Sequence, residues 1–282
     1  MLAHMYFPAA FILLYTLMET GIFQDKVALI TGSSRGIGKA IARTLAHAGA
    51  DIVINYRRTG GTSEEQAKQL CEEVREMGRK AYMVQADISQ KASVKTLMKE
   101  IAEKSGRLDI LVLNAARTPF KPLEKLLERE IRQLVDTNYI GNIFCIQEAV
   151  SLLEKTSGKI VFISSLGSRF YNVSYPLGSM KAAMESVVRD CAEGLKPKKI
   201  AVNAVCGGIV KTDSFKVLRQ LWEELAFIPE DLFVEPEEIA DVVKFLCSAD
   251  SRAICGQTIV VDHGFSNRLY QPMQIQKKET GL

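Results

Sequence analysis

The chain has few histidines, no cysteine pair at metal-ligand spacing, no long block of like charge and no apolar run long enough to cross a membrane as a helix. Its three histidines, His4, His47 and His263, stand far apart without a neighbouring ligand set, so no metal site is expected. The six cysteines, at 71, 145, 191, 206, 247 and 255, form no CxxC and fall in apolar or helical runs. They read as reduced, mostly buried thiols of a cytoplasmic protein. A net charge of only +3 gives no footing for nucleic acid or a membrane surface as the main partner. Residues 5–18 read MYFPAAFILLYTLM, fourteen mostly apolar residues with no basic lead-in and no clear cleavage site. That is too short for an ordinary span and poor as a signal peptide. A packed N-terminal extension over 1–22, a translation start at Met18 and a weak anchor all fit it.

What is present is an alternating rhythm. Hydrophobic residues make up 47% of the 282 and charged residues 24%, an ordinary globular balance with length for one large α/β domain. Short apolar runs recur at 26–32, 50–56, 80–87, 108–116, 158–165, 200–208 and 257–264. They are apolar on both faces, as buried parallel strands are. Helical stretches lie between them, such as 63–78, stopped by Gly78. The alternation predicts a single Rossmann-type domain over 23–265, a doubly wound parallel sheet of about seven strands with helices on both faces. Residues 212–236 break the rhythm and carry Phe215, Leu218, Leu221, Trp222, Leu225 and Phe227 at roughly helical spacing. They read as a substrate lid lined by apolar groups, or as an amphipathic helix covering the core. Residues 266–282 read as a polar tail.

The first strand runs into TGSSRGIG, residues 31–38, and then a helix. Glycines there permit a tight turn and close approach of a pyrophosphate to backbone N–H groups at a helix start. Gly32, Ser34, Arg35, Gly36, Ile37 and Gly38 are therefore expected to bind a dinucleotide. A carboxylate at the end of the second strand would favour NAD. This chain has Asn55, Tyr56, Arg57 and Arg58 there instead. With Arg35 in the turn, the guanidiniums suit the 2′-phosphate of NADPH.

The glycine turn, Asp87-Ile88, Asn114-Ala115-Ala116, Asn138, Ser165 and a downstream Tyr/Lys pair together resemble the short-chain dehydrogenase/reductase family, over about residues 24–265. The resemblance implies that Asp87 and Ile88 meet the adenine and that Ala115 and Ala116 wall the cofactor. It implies that Asn138 places a water in a proton relay. It also implies that the loop of Gly208, Ile209 and Thr212 meets the nicotinamide carboxamide and phosphate. Lys181 would hold the nicotinamide ribose and lower the pKa of a proton-donating tyrosine, and Ser165 would bond the substrate oxygen. The helices around 125–152 and 177–195 would build a homotetramer or homodimer.

The family motif Tyr-x-x-x-Lys would put the tyrosine at 177, which is leucine here. The nearest candidate is Tyr175, with Tyr171 further off. Six residues of α-helix turn about 600°, so Tyr175 and Lys181 cannot share a face of one continuous helix. Pro176 offers a helix start that leaves Tyr175 in the preceding loop. The local text is similar to FabL-type NADPH-dependent enoyl-[acyl-carrier-protein] reductases, with one residue fewer between tyrosine and lysine. That implies hydride addition to the β-carbon of a trans-2-enoyl thioester, with Tyr171, Phe215, Leu218 and Trp222 around the acyl group. Lys211, Lys216 and Arg219 are candidates to meet an acidic carrier protein, or are plain solvated charges. Two other readings stay open: reduction of a 3-oxoacyl thioester or other carbonyl, and a catalytically weak NADPH-binding scaffold.

Overall fold

The computed structural model describes residues 21–170, 174–213, 215, 219–220, 222, 225 and 228–268. Tyr171, Leu218, most of the N-terminal extension and most of the tail lie outside them. Seven strands form one sheet: β1 Val27–Ile30, β2 Asp51–Tyr56, β3 Ala81–Gln85, β4 Ile110–Leu113, β5 Lys159–Ser165, β6 Ala201–Gly207 and β7 Thr258–Val261. Every pairing is parallel, in the order β3-β2-β1-β4-β5-β6-β7. The connecting helices are α1 Gly36–His47, α2 Thr62–Glu76, α3 Lys91–Ser105, α4 Glu128–Val135, α5 Gly141–Glu154, α6 Leu177–Gly194 and α7 Pro236–Cys247.

Strand alternation builds two cores. Ala28 and Ile30 of β1 face α1, α2 and α7, whereas Val27 and Leu29 face α3, α5 and α6. Both faces are buried, which is why the strands read as continuous apolar runs. The α2 stop falls where the sequence puts it, with Gly78 at φ +76°. The strand order reverses between β1 and β4. A crevice opens there at the carboxyl ends of the strands, the usual ligand position in such sheets. Cys71, Cys145, Cys206 and Cys247 are buried thiols, Cys191 is half-buried and Cys255 exposed. No helix among the described residues is long and apolar enough to cross a membrane, and among those residues no group of side chains could hold a metal ion.

Candidate active site

The crevice is a cleft of about 1090 Å³ that runs from the β2 end, over β1 and β4, to the segment after β6. Its floor is the glycine turn. Gly32 has φ +62° and Gly36 φ +55°, where side chains are strained. The turn is held by Asn114 and by two residues to which the sequence assigned no binding role, Asn55 and Thr31. Asn55, at the end of β2, accepts the Gly32 N–H at 3.0 Å and donates to the Ala86 carbonyl at 3.1 Å. Thr31 Oγ1 accepts the N–H groups of Asn114 at 2.9 Å and Ala115 at 3.0 Å. Asn114 Nδ2 in turn donates to the carbonyls of Thr31 and Gly32. Asn114 thus shapes the cradle as well as lining it. Gly38 does not line the cleft. A Cβ there would sit 2.8 Å from the Gly32 carbonyl oxygen, so its absent side chain serves turn-to-helix packing. That corrects its expected contact with cofactor.

The start of α1 has no side-chain cap and no acid in its first turn. A pyrophosphate would meet unblocked N–H groups and the positive end of the helix dipole. Ser34, Arg35, Gly36, Ile37, Tyr56, Arg57, Arg58, Asp87, Ile88, Ala115, Ala116, Gly208, Ile209 and Thr212 all line the cleft. At the adenosine end, burial and the charges of Arg58 and Arg117 lower the Arg57 pKa, with Asp87 opposing. Arg117 is thus a third guanidinium beside Arg57 and Arg58, invisible in sequence because it follows a different strand. The residues present fit a doubly phosphorylated dinucleotide.

Ser165 ends β5 in extended backbone, and its Oγ accepts the Gly167 N–H at 3.3 Å. Tyr175 stands just before α6, with Pro176 as the cap residue, as the spacing argument requires. Its ring stacks on Phe120, centroids 6.3 Å apart, and lies against Gly167, where a Cβ would be 3.0 Å from Cδ1 and Cε1. Gly178, in the first turn of α6, packs so closely on the Gly167 carbonyl that a Cβ would collide with it. Burial raises the Tyr175 pKa, the Ser165 hydroxyl lowers it, and the Cys206 thiol raises it. Lys181 is 5% exposed, donates from Nζ to the Ile163 carbonyl at 2.6 Å, and lies 4.7 Å from the Phe162 ring centroid. Burial lowers its pKa to about 8, against the raising effects of Cys206 and Glu185. Ser165, Tyr175 and Lys181 all belong to the cleft wall, where Ser165 bonds the Tyr175 hydroxyl.

Asn138 does not reach that wall. It is 1% exposed in a π-helical turn, Asp136–Ile140. Its side chain accepts the Arg117 N–H at 3.0 Å and donates to the carbonyls of Arg117 at 2.6 Å and Leu134 at 2.8 Å. This side chain is thus a brace for the loop after β4. Beyond β6, Phe215, Leu225 and Phe233 form a small apolar cluster with Ile209, Trp222 and Ile228, closing the far end of the cleft. Lys211 is tied to Glu230 at 2.7 Å and Glu235 at 2.8 Å, because a Val210–Val234 bridge brings the ends of this segment together. Arg219 lies 5.7 Å from the Phe215 ring centroid, and Lys216 is outside the described residues.

A family model described as Enoyl-(Acyl carrier protein) reductase matches residues 32–266. The 1-cyclohexenylcarbonyl-CoA reductase of Streptomyces collinus is 38% identical over 248 residues, covering 86% of this chain and 87% of that one. The 3-oxoacyl-[acyl-carrier-protein] reductase FabG of Staphylococcus aureus is 35% identical over 243 residues, covering 85% and 97%. Among solved structures, a gluconate 5-dehydrogenase from Burkholderia cenocepacia, in complex with NADP and tartrate, superposes with a TM-score of 0.80 at 28% identity, covering 89% of this chain and 99% of that one.

Proposed function

The chain belongs to the short-chain dehydrogenase/reductase family, an oxidoreductase family, and from that premise we propose that it reduces acyl thioesters with NADPH, its substrate a trans-2-enoyl thioester. The observation that carries the choice is the seat of Tyr175. In a ketone, the carbon that takes hydride bears the oxygen that takes the proton. In an enoyl thioester, the hydride goes to the β-carbon, and the oxygen on which charge develops lies two carbons away. A proton donor moved out of the first turn of α6 into the loop before it suits the longer separation. Leu177, where the family resemblance puts a tyrosine, is 4% exposed and packed in the helix. It takes no part in proton transfer. The family model's description and the unsaturated thioester named in the Streptomyces relative favour the same reading. The FabG relative supports the alternative, carbonyl reduction.

Bound NADPH supplies the hydride. Tyr175 then stabilises and protonates the enolate oxygen as general acid, the enol so formed tautomerises and places the proton on the α-carbon, Ser165 donates to the same oxygen, and Lys181 holds the ribose. The apolar cluster around Phe215 and Trp222 is the lid and excludes water from the acyl group. Leu123, Leu127 and Ile131 are exposed along the start of the 125–152 region, which supports a homo-oligomer through that face, in a cytoplasmic protein.

The test is NADPH oxidation with crotonyl and acetoacetyl thioesters side by side, each as the CoA and the carrier-protein form. Crotonyl turnover, with label from deuterated NADPH at the β-carbon, is the expected result. Turnover of acetoacetyl thioester alone would overturn the choice of substrate, and silence on both would favour the scaffold reading. Cofactor preference gives an independent check. Replacing Arg57 and Arg58 by alanine removes charge-assisted contacts worth about 1.5–3 kcal/mol each. The KM for NADPH should rise by about 10²- to 10⁴-fold, while that for NADH stays put. Equal losses for both cofactors would show that the arginines do not read the 2′-phosphate.

A further inference from the structure

Behind the catalytic wall lies a buried carboxylate that the mechanism above does not use. Glu185 is on α6, one turn beyond Lys181 on the same face, and 8% exposed. Its Oε1 accepts the Ser164 hydroxyl at 2.5 Å and the Ser168 hydroxyl at 2.7 Å. Oε2 faces the Arg169 guanidinium at 3.8 Å. Ser164 and Ser168 bracket Ser165 and the turn Leu166–Ser168. Gly167, in the middle of that turn, is the surface on which the Tyr175 ring rests. One carboxylate oxygen therefore grips both sides of the segment that carries Ser165 and seats Tyr175.

We infer that Glu185 is a positioning residue of the reductase: it fixes the Leu166–Ser168 turn under the Tyr175 ring and keeps a negative charge beside Lys181. The inference rests on the roles given above to Tyr175 and Lys181. A buried carboxylate is costly to retain without such a return, and two serine donors with a guanidinium nearby are what make it tolerable here. A carboxylate can only accept, so both serine hydroxyls must donate to it and their orientation is set. The electrostatic part has a direction. Lys181 is held down by burial and pushed up by Cys206 and Glu185. Cys206, on β6, is itself raised to about 12, so its push on Lys181 needs a thiolate that forms only at high pH, and near neutrality Glu185 brings the charge. The other groups against Lys181, the Ile163 carbonyl and the Phe162 ring, do not titrate. The Arg169 guanidinium sits on the far oxygen of Glu185. Removing the Glu185 charge must therefore lower the Lys181 pKa, so that its ammonium is lost at lower pH.

The two halves separate by substitution. Glu185→Gln keeps an oxygen for the serines and deletes the charge. Its kcat at neutral pH should stay close to that of wild type, but the alkaline fall of kcat/KM should move to lower pH. The alkaline weakening of NADPH binding, read by NADPH fluorescence, should move with it. Glu185→Ala deletes both, and its kcat should fall by about 10- to 100-fold, the scale of a misplaced catalytic group. Ser168→Ala removes one grip without opening a cavity, and should lower kcat in the same sense with the pH profile unmoved. Tyr175 is followed directly by 19F NMR of 3-fluorotyrosine protein, its signal identified by loss in Tyr175→Phe. The signal should shift in Glu185→Ala and Ser168→Ala and stay in place in Glu185→Gln. Unchanged pH profiles, kcat and 19F signal, with only a lower melting temperature, would overturn the inference and leave Glu185 as a core brace. Should wild type reduce neither thioester, the reaction reading fails alone. The NADPH titrations and the 19F signal then still decide on Glu185.

Discussion

Tyr175→Phe is expected to lower turnover of the enoyl thioester by about 10²- to 10⁴-fold, the range of a lost general acid, with NADPH affinity and melting temperature unchanged. The ring makes the packing contacts: it stacks on Phe120 and rests on Gly167. Phenylalanine keeps both. Only the hydroxyl that meets Ser165 is removed. The pH dependence sharpens the test. Burial raises the Tyr175 pKa above its ordinary 10.0, so the phenol is protonated, the form an acid needs, throughout the neutral range. Loss of activity on the alkaline side should therefore begin with Lys181, whose pKa is about 8, and not with the tyrosine. Stopped-flow single turnovers at several pH values would read both. Full activity in Tyr175→Phe would remove this residue from the chemistry and turn attention to Tyr171.

The position of Tyr175 was legible before any coordinates, because helix periodicity is a rigid rule. Six residues cannot align on one helix, so the helix had to start after the tyrosine, and Pro176 marked where. The strands were legible for a similar reason: burial on both faces leaves uninterrupted apolar runs. Contacts set by tertiary approach were not. Asn55 holds Gly32 across 23 residues, and Glu185 holds Ser164 across 21. Nothing local in either segment names its partner. One signal for Glu185 was nevertheless present. It falls in the buried stripe Lys181, Met184, Glu185, Val188 and Ala192 of α6, and a carboxylate in an apolar stripe demands a partner. The Lys211 ion pairs were hidden for the same reason, since the Val210–Val234 bridge that delivers Glu230 and Glu235 to it is a property of the fold.

Lys181→Met should abolish most activity and yet make the cofactor-free protein more stable at neutral pH. Bringing the lysine from its ordinary 10.5 to about 8 costs the folded state on the order of 3 kcal/mol. Methionine removes that cost. It also strips the donor from the Ile163 carbonyl, a loss of about 1–3 kcal/mol. The balance is a gain of roughly 1 kcal/mol, or a rise in Tm of about 2–4 °C for a domain of this size. The sign with pH follows from proton counting. Between about 8 and 10.5 the unfolded chain holds a proton on this lysine that the folded chain has shed, so wild-type stability from this group climbs across that window. Below it the burial cost is present in full. The advantage of the methionine variant should thus be largest at neutral pH and shrink as pH rises through the window. Melting curves of both proteins at matched pH values measure it, and a variant that is less stable at every pH by a constant amount would show that Lys181 carries no such cost. Activity moves the opposite way: without the ammonium, NADPH binding loses a charge-assisted contact of about 1.5–3 kcal/mol, tenfold or more in Kd. A residue that weakens the empty fold and strengthens the loaded one is retained for the site it serves, and both halves of that statement are read from one substitution.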